Sequence, residues 1–281
     1  MKNEETQVLH IHCADEKGLI YRITEILYSH GLNIVNNQEF VDAKNSYFFM
    51  RTEFEGVDGI ETITNDLRKV LPTKAHISCT PVGNRSVVLM ASKEPHCLGD
   101  LLLRHKYGEL TARVKAVVSN HEVLAPLCKA FDMPFHHIPA AGIDREVHEA
   151  SILDVLANYA PDYLVLAKYM RIFTPSFVER YPHRIINIHH SFLPAFVGAS
   201  PYRQAYRRGV KVIGATAHIV TDNLDEGPII AQDVLPVNHS FSADEMAFAG
   251  RDVEKNVLAK ALKLVLQERV FIYKNRTIVF D

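Results

Sequence analysis

Within the run RIINIHHSFLP, Arg184 to Pro194, an amide and two imidazoles stand in an otherwise apolar segment: Asn187, His189 and His190. A strand points successive side chains to opposite faces. Asn187 and His189 therefore share one face, while Ile186, Ile188 and His190 share the other. An amide donor beside an imidazole can bind a carbonyl oxygen and the negative charge that develops on it during nucleophilic addition. By the same parity His190 is expected to turn away and pack.

A third group lies in HIVTDNLDEGPIIAQ, where Asp222 to Gly227 form an acidic turn between two apolar runs. Asp and Gly are ordinary turn residues, so a lone carboxylate there is more often solvated than reactive. Held near Asn187 and His189, however, such a carboxylate supplies a general base opposite an oxyanion site. Asp225 is the expected base. His218, on the apolar run before the turn, either reaches this site from a neighbouring strand or hydrogen-bonds within the core. No metal is expected: the HExxH spacing is missing, and neither His136-His137 nor His189-His190 has an obvious third ligand nearby.

These residues need elements to hold them. From Arg85 onward short apolar strands (SVVLMAS, ARVKAVVSN, DYLVLAKYM, IINIHH) alternate with helical segments such as LGDLLLRHK and REVHEASILDVLANYA. Alternation of this length implies right-handed crossovers and a mainly parallel, doubly wound sheet, a Rossmann-like α/β layer. In such sheets ligands collect beyond the carboxyl ends of the strands, where His189 stands just before Pro194. The Leu-Pro and Gly-Ala-Ser-Pro breaks then carry the chain around a cleft. A short helix over YRQAYRRG, strands VIGATAHIVT and PIIAQDVLPV, and a long helix from Ser242 to Glu268 complete this half.

The first half differs. QVLHIHC reads as a strand, DEKGLIYRITEILYSHGL as a turn and helix stopped by Gly31, and NIVNNQEFVD and SYFFMRTEFE as a hairpin pair of strands. GIETITNDLRKVLPTK and AHISCTPV add a helix and a last strand, giving βαββαβ, the ferredoxin-like order. The boundary is expected near Val82 to Arg85, dividing the chain into 1–83 and 84–281.

Composition narrows the partners. Lys plus Arg total 31 against 33 Asp plus Glu, with no block of like charge, so a nucleic-acid footprint is absent. No apolar run approaches the ~20 residues of a membrane span. Four scattered cysteines without a CxxC pair fit reduced thiols in a cytoplasmic protein better than a disulfide framework.

Read together, NIHHSFLPAFVG and GATAHIVTDNLDEGPII resemble the formyltransferase fold of folate enzymes over essentially all of Arg85 to Asp281. That resemblance implies catalytic roles for Asn187, His189 and Asp225. AKYMRIFTP is similar to the segment whose backbone receives the pterin ring, which nominates Met170, Arg171 and Ile172 for substrate binding. Asp222, Leu224 and His218 would line the other side. DEKGL at the first strand-to-helix turn resembles an ACT domain, implying amino-acid effector binding at Asp15 and Gly18. Ala14, Glu16 and Lys17 depart from the Pro and Arg-Pro common there.

An ACT domain joined to this catalytic fold, with SKEPHCLGDLL as its first loop, resembles the hydrolase branch of the family, the formyltetrahydrofolate deformylases. The resemblance implies hydrolysis of 10-formyltetrahydrofolate to tetrahydrofolate and formate, which supplies one-carbon and purine metabolism, with no cofactor besides the folate substrate. Asp225 would activate water, Asn187 would bind the formyl oxygen, and His189, as imidazolium, would stabilise the oxyanion. Lys93, Glu94 and Pro95 in the first loop read against a phosphorylated acceptor. Transfer to an unphosphorylated amine, and a non-catalytic folate or amino-acid sensor, are the alternatives. The first domain either binds an amino-acid effector, methionine or glycine, or only dimerises and binds nothing; a homo-oligomer is expected, without nucleic-acid or membrane partners.

Overall fold

The computed structural model describes residues 6–56, 59–83, 85–195 and 200–281. Asn84 at the expected boundary, and Gly198 and Ala199 of the expected loop break, lie outside them. The chain forms two compact units.

The first unit runs β1 (Thr6–Ala14), α1 (Leu19–Ser29), β2 (Asn33–Asp42), β3 (Tyr47–Glu55), α2 (Ile60–Val70) and β4 (His76–Pro81). Its antiparallel sheet has the order β2-β3-β1-β4. Leu19, Ile23 and Leu27 follow one another at helical spacing along α1 and pack with Ile63 and Leu67 of α2 onto Leu9, Ile11, Cys13, Met50 and Phe54. The alternate residues of β1 face the other way. There His10 stacks on Phe271 at 4.2 Å, and the buried Arg51 guanidinium donates to the Glu268 and Gln267 carbonyls at 2.7 and 2.8 Å.

The second unit contains β5 (Ser86–Ala91), α3 (His96–Lys106), β6 (Arg113–Ser119), α4 (Ala125–Ala130), β7 (Phe135–His137), α5 (Arg145–Ala157), β8 (Tyr163–Leu166), α6 (Pro175–Val178), β9 (Ile185–His189), α7 (Pro201–Arg208), β10 (Val212–Ile219), β11 (Ile229–Pro236) and α8 (Ala243–Leu266). Its seven-stranded sheet has the order β11-β10-β9-β8-β5-β6-β7. The pairings from β9 through to β7 are parallel, and β10 is antiparallel to both β9 and β11. Every residue of β5 is buried, as expected of a strand covered on both faces. The long helix begins at a capping box: the Glu245 carboxylate accepts from Ser242 N, and Ser242 Oγ accepts from Glu245 N.

The structure departs from the sequence reading at the chain end. A hairpin, β12 (Val270–Tyr273) and β13 (Arg276–Val279), follows α8, where no strand was expected. The first unit includes Gln267–Phe271 and Phe280–Asp281, whereas a division at 83/84 assigns them to the second. The segment SFVERYP forms only the single turn of α6, opened by Thr174 as cap and Pro175.

Candidate active site

The pairing of β9 with β10 builds the centre. Residues directly opposite one another in an antiparallel pair share a face. Asn187 is registered with His218 and His189 with Thr216. Asn187 Nδ2 lies 3.2 Å from His218 Nε2. The other ring nitrogen of His218 donates to the Ile219 carbonyl at 2.9 Å, which leaves Nε2 as the acceptor for Asn187. Burial holds the His218 pKa below its ordinary value, so the ring stays neutral in that role. His218 thus combines the two readings: it lines the cleft beside Asn187 and is tied to a backbone carbonyl in the core.

Asp225 arrives from the β10–β11 connection. Its Oδ2 lies 3.3 Å from His189 Nδ1 and its Oδ1 3.7 Å from His218 Nε2. Gly227 makes this return possible, because a Cβ there would stand 1.8 Å from the Ile219 carbonyl oxygen. Asp225 itself has φ 57, the left-handed region that costs a non-glycine residue free energy and tends to mark functional turns. Burial alone would raise its pKa. The His189 hydrogen bond and the nearby imidazoles outweigh that and hold the carboxyl below its usual range. Its side chain is 8% exposed, so an ionised carboxylate is largely shielded from bulk water. His189 Nε2, on the far side of the ring, is buried and makes no hydrogen bond among the described residues.

Asn187, His189, Asp225, Met170, Arg171, Ile172, Asp222, Leu224 and His218 all line one cleft of about 330 Å³. Every residue proposed for this site from the sequence is therefore brought together. Met170, Ile172 and Leu224 are 59%, 53% and 48% exposed, apolar surface that a flat ring system could cover. The wall carrying Met170 is anchored from behind. Ser92 Oγ accepts from Met170 N at 2.9 Å, and the buried Glu149 carboxylate takes both the backbone N–H and the hydroxyl of Thr174.

His190 follows the parity expectation in part. The strand ends at His189, and His190 beyond it both lines the cleft and packs against Tyr202, with ring centroids 6.0 Å apart. Burial, then the charge of Lys168, push its pKa down to about 4. The chain beyond it is fixed by Thr216 Oγ1, which donates to the Ser191 carbonyl and accepts from Leu193 N and Gln232 Nε2, each near 3 Å.

Sequence reasoning missed a buried polar cluster beside this cleft. Glu254, 1% exposed, accepts from Tyr202 OH at 2.7 Å and lies 2.8 Å from His96 Nε2 and 3.2 Å from Lys168 Nζ. A signal existed: Glu254 interrupts the apolar stripe of α8 between Gly250 and Leu258. Among the described residues, His96, Cys97 and Glu254 also form a group at metal-ligand spacing, their ligand atoms within 4.8 Å. The Lys168 ammonium already holds the cation's place there, and burial pushes the Cys97 thiol far up, so the residues do not fit a metal.

Asp15 and Gly18 lie in the first unit, on the exposed turn into α1. Gly18 caps that helix with φ 85, and Asp15 N donates to the Ser46 carbonyl at 2.8 Å. Across the same turn Arg22 pairs with Glu16. Among the described residues no helix is long and apolar enough to cross a membrane.

Residues 85–262 match the formyl transferase family and residues 7–72 the ACT domain family. A formyltetrahydrofolate deformylase of Escherichia coli strain K12 is 54% identical over 279 residues, which is 99% of this chain and 100% of that protein. The crystal structure of a formyltetrahydrofolate deformylase from Pseudomonas syringae pv. tomato superposes with a TM-score of 0.95 at 40% identity, covering 100% of this chain and 96% of that one. A glycinamide ribonucleotide transformylase from Symbiobacterium toebii superposes with a TM-score of 0.68 at 30% identity, covering 70% of this chain and 95% of that one. With an ACT domain ahead of the transferase fold and full-length likeness to these enzymes, the chain belongs to the formyltetrahydrofolate deformylase family.

Proposed function

We propose that the protein hydrolyses 10-formyltetrahydrofolate to tetrahydrofolate and formate, using Asn187, His189 and Asp225. The observation that carries this reading is the shielded Asp225 carboxylate 3.3 Å from His189 Nδ1, with His189 Nε2 left without a partner among the described residues. Asp225 orients a water and takes its proton as the water oxygen adds to the formyl carbon. Asn187 gives one amide N–H to His218 and offers the other to the formyl oxygen. His189 stands by the oxygen that becomes negative. As the intermediate collapses, the bond from the formyl carbon to N10 breaks and N10 takes the proton held by Asp225. The products are tetrahydrofolate and formic acid, which ionises to formate in solution.

The pterin ring lies on the wall formed by Met170, Arg171 and Ile172, with Asp222, Leu224 and His218 opposite, a placement supported by their shared lining of the cleft. No cofactor takes part in these steps. The test is formate release from 10-formyltetrahydrofolate with and without added amines. Formate formation independent of amine supports the reading; formyl transfer requiring an amine sinks it.

For the first unit, we propose an amino-acid effector, methionine or glycine, at Asp15 and Gly18, where helix N–H groups favour a carboxylate. The protein acts as a cytoplasmic homo-oligomer in this reading, with Cys13, Cys79, Cys97 and Cys128 all free as in a reducing compartment. Calorimetric titration with both amino acids decides the effector: the absence of heat for either removes it.

A further inference from the structure

In an open α/β sheet the ligand crevice lies outside the carboxyl ends of the strands at the point where the strand order reverses. Here the chain runs from β5 outward through β6 and β7, then returns to β8 and continues to β9 on the other side. The reversal therefore falls between β5 and β8. Their carboxyl ends lead into the segments carrying His96 and Lys168, and that crevice is filled by the chain's own side chains. Lys168, 4% exposed and with φ 64, directs its ammonium to Glu254; His96 at the start of α3 and Tyr202 of α7 reach the same carboxylate.

The filling is tight. Gly250, one turn before Glu254, leaves the space Tyr202 occupies: a Cβ there would stand 2.0 Å from the tyrosine hydroxyl. Both Glu254 oxygens are engaged, Oε1 by Tyr202 and Oε2 by His96 and Lys168. Behind His190, between Tyr202 and Phe192, a cavity of only about 20 Å³ remains, space for a single water. Burying an ion pair seldom adds net stability over apolar residues of equal size, so stability alone gives this quartet no purpose. Lys168 also lines the reaction cleft, so the quartet meets that cleft through this one residue.

We propose that Glu254, Lys168, His96 and Tyr202 determine the acceptor: by filling the switch-point crevice they leave no seat for an amine, and water alone reaches the formyl carbon. This rests on the hydrolytic reading of the same cleft. Were an amine admitted, its nitrogen would add to the formyl carbon, the bond to N10 would break, and N10 would take the proton the amine loses. The products would be an N-formyl compound and tetrahydrofolate.

The test measures formate and N-formyl product together from 10-formyltetrahydrofolate in the presence of hydroxylamine or glycinamide, corrected for the reaction without protein. The unaltered protein is expected to give formate alone. Lys168→Ala combined with Glu254→Ala removes both charges at once, so neither is left buried without its partner. The ratio of N-formyl product to formate should rise about tenfold or more, a discrimination that a change in pocket shape commonly produces. His96→Ala, which opens the crevice from its rim and keeps the ion pair, should raise the ratio less. If the double variant fails to fold, the His96→Ala ratio decides alone. An unchanged ratio in the folded variants overturns the inference while hydrolysis stands, as does efficient amine formylation by the unaltered protein. A protein that releases no formate removes the hydrolytic reading and this inference with it.

Discussion

Asn187 and His218 stand directly opposite one another on antiparallel neighbours, with the amide nitrogen 3.2 Å from the imidazole. This pairing sets the amide's rotation, because the His218 ring is itself tied to the Ile219 carbonyl. Replacing His218 with Phe keeps the ring's bulk and removes its acceptor. Turnover should fall by up to about 10²-fold, the scale of a misplaced catalytic group, with KM changed little. Steady-state kinetics on the folded variant check this, and an unchanged kcat would show that Asn187 needs no such tether.

Asn187 itself is expected to matter more. Loss of one oxyanion donor commonly costs ~10²–10³ in turnover. Asn187→Ala should show that loss while retaining the circular dichroism of the parent, and near-normal turnover would remove the residue from the mechanism.

Gly227 is a test of loop geometry. A methyl group at this position meets the Ile219 carbonyl oxygen at 1.8 Å, so Gly227→Ala must displace the turn that carries Asp225. Activity should fall further than the melting temperature suggests. A variant with full activity would mean that the Asp225 position tolerates a moved loop.

Glu149 holds the substrate wall through Thr174, without itself lining the cleft. Glu149→Ala frees that wall and should raise KM about tenfold, roughly 1.4 kcal/mol, with a smaller change in kcat. An equal fall in kcat at constant KM would assign Glu149 a different role.

Acid should unfold the protein before it silences the base. Burial first, then neighbouring positive charge, lower His190 to about 4, and burial likewise lowers His10 to about 4, against the ordinary 6.5. Between these values the unfolded chain holds a proton that the folded chain does not, so stability rises with pH across the window and is lost as pH falls through it. The Asp225 carboxyl, although burial opposes it, is held below its usual range by the His189 hydrogen bond, so it takes up a proton later than an ordinary carboxylate as the pH falls. The midpoint of thermal unfolding, followed by circular dichroism because the chain has no tryptophan, should drop steadily from pH 6.5 to 4. A flat midpoint would contradict the buried neutral histidines.

Much of the site was legible because strand parity and turn chemistry are local rules. Asn187 and His189 share a face by spacing alone, and Asp225 sits in a turn whose flanking apolar runs are strands. Parity foresaw the packing of His190 on Tyr202 only as a turn toward the core, and missed its place in the cleft lining, because the strand stops one residue earlier. Lys168, His96, Tyr202 and Glu254 were invisible as a group because four separate elements bring them together, and only the broken apolar stripe at Glu254 hinted at it. The β12–β13 hairpin escaped because strands this short carry almost no periodic signal.

In the proposed mechanism Asp225 activates water against a formyl group held by Asn187 and His189. Single-turnover formate release by Asp225→Asn, with folate binding measured separately, tests it most directly. Release should slow by ~10²–10⁴, as for loss of a general base, with folate binding retained. Release at close to the parent rate would contradict it.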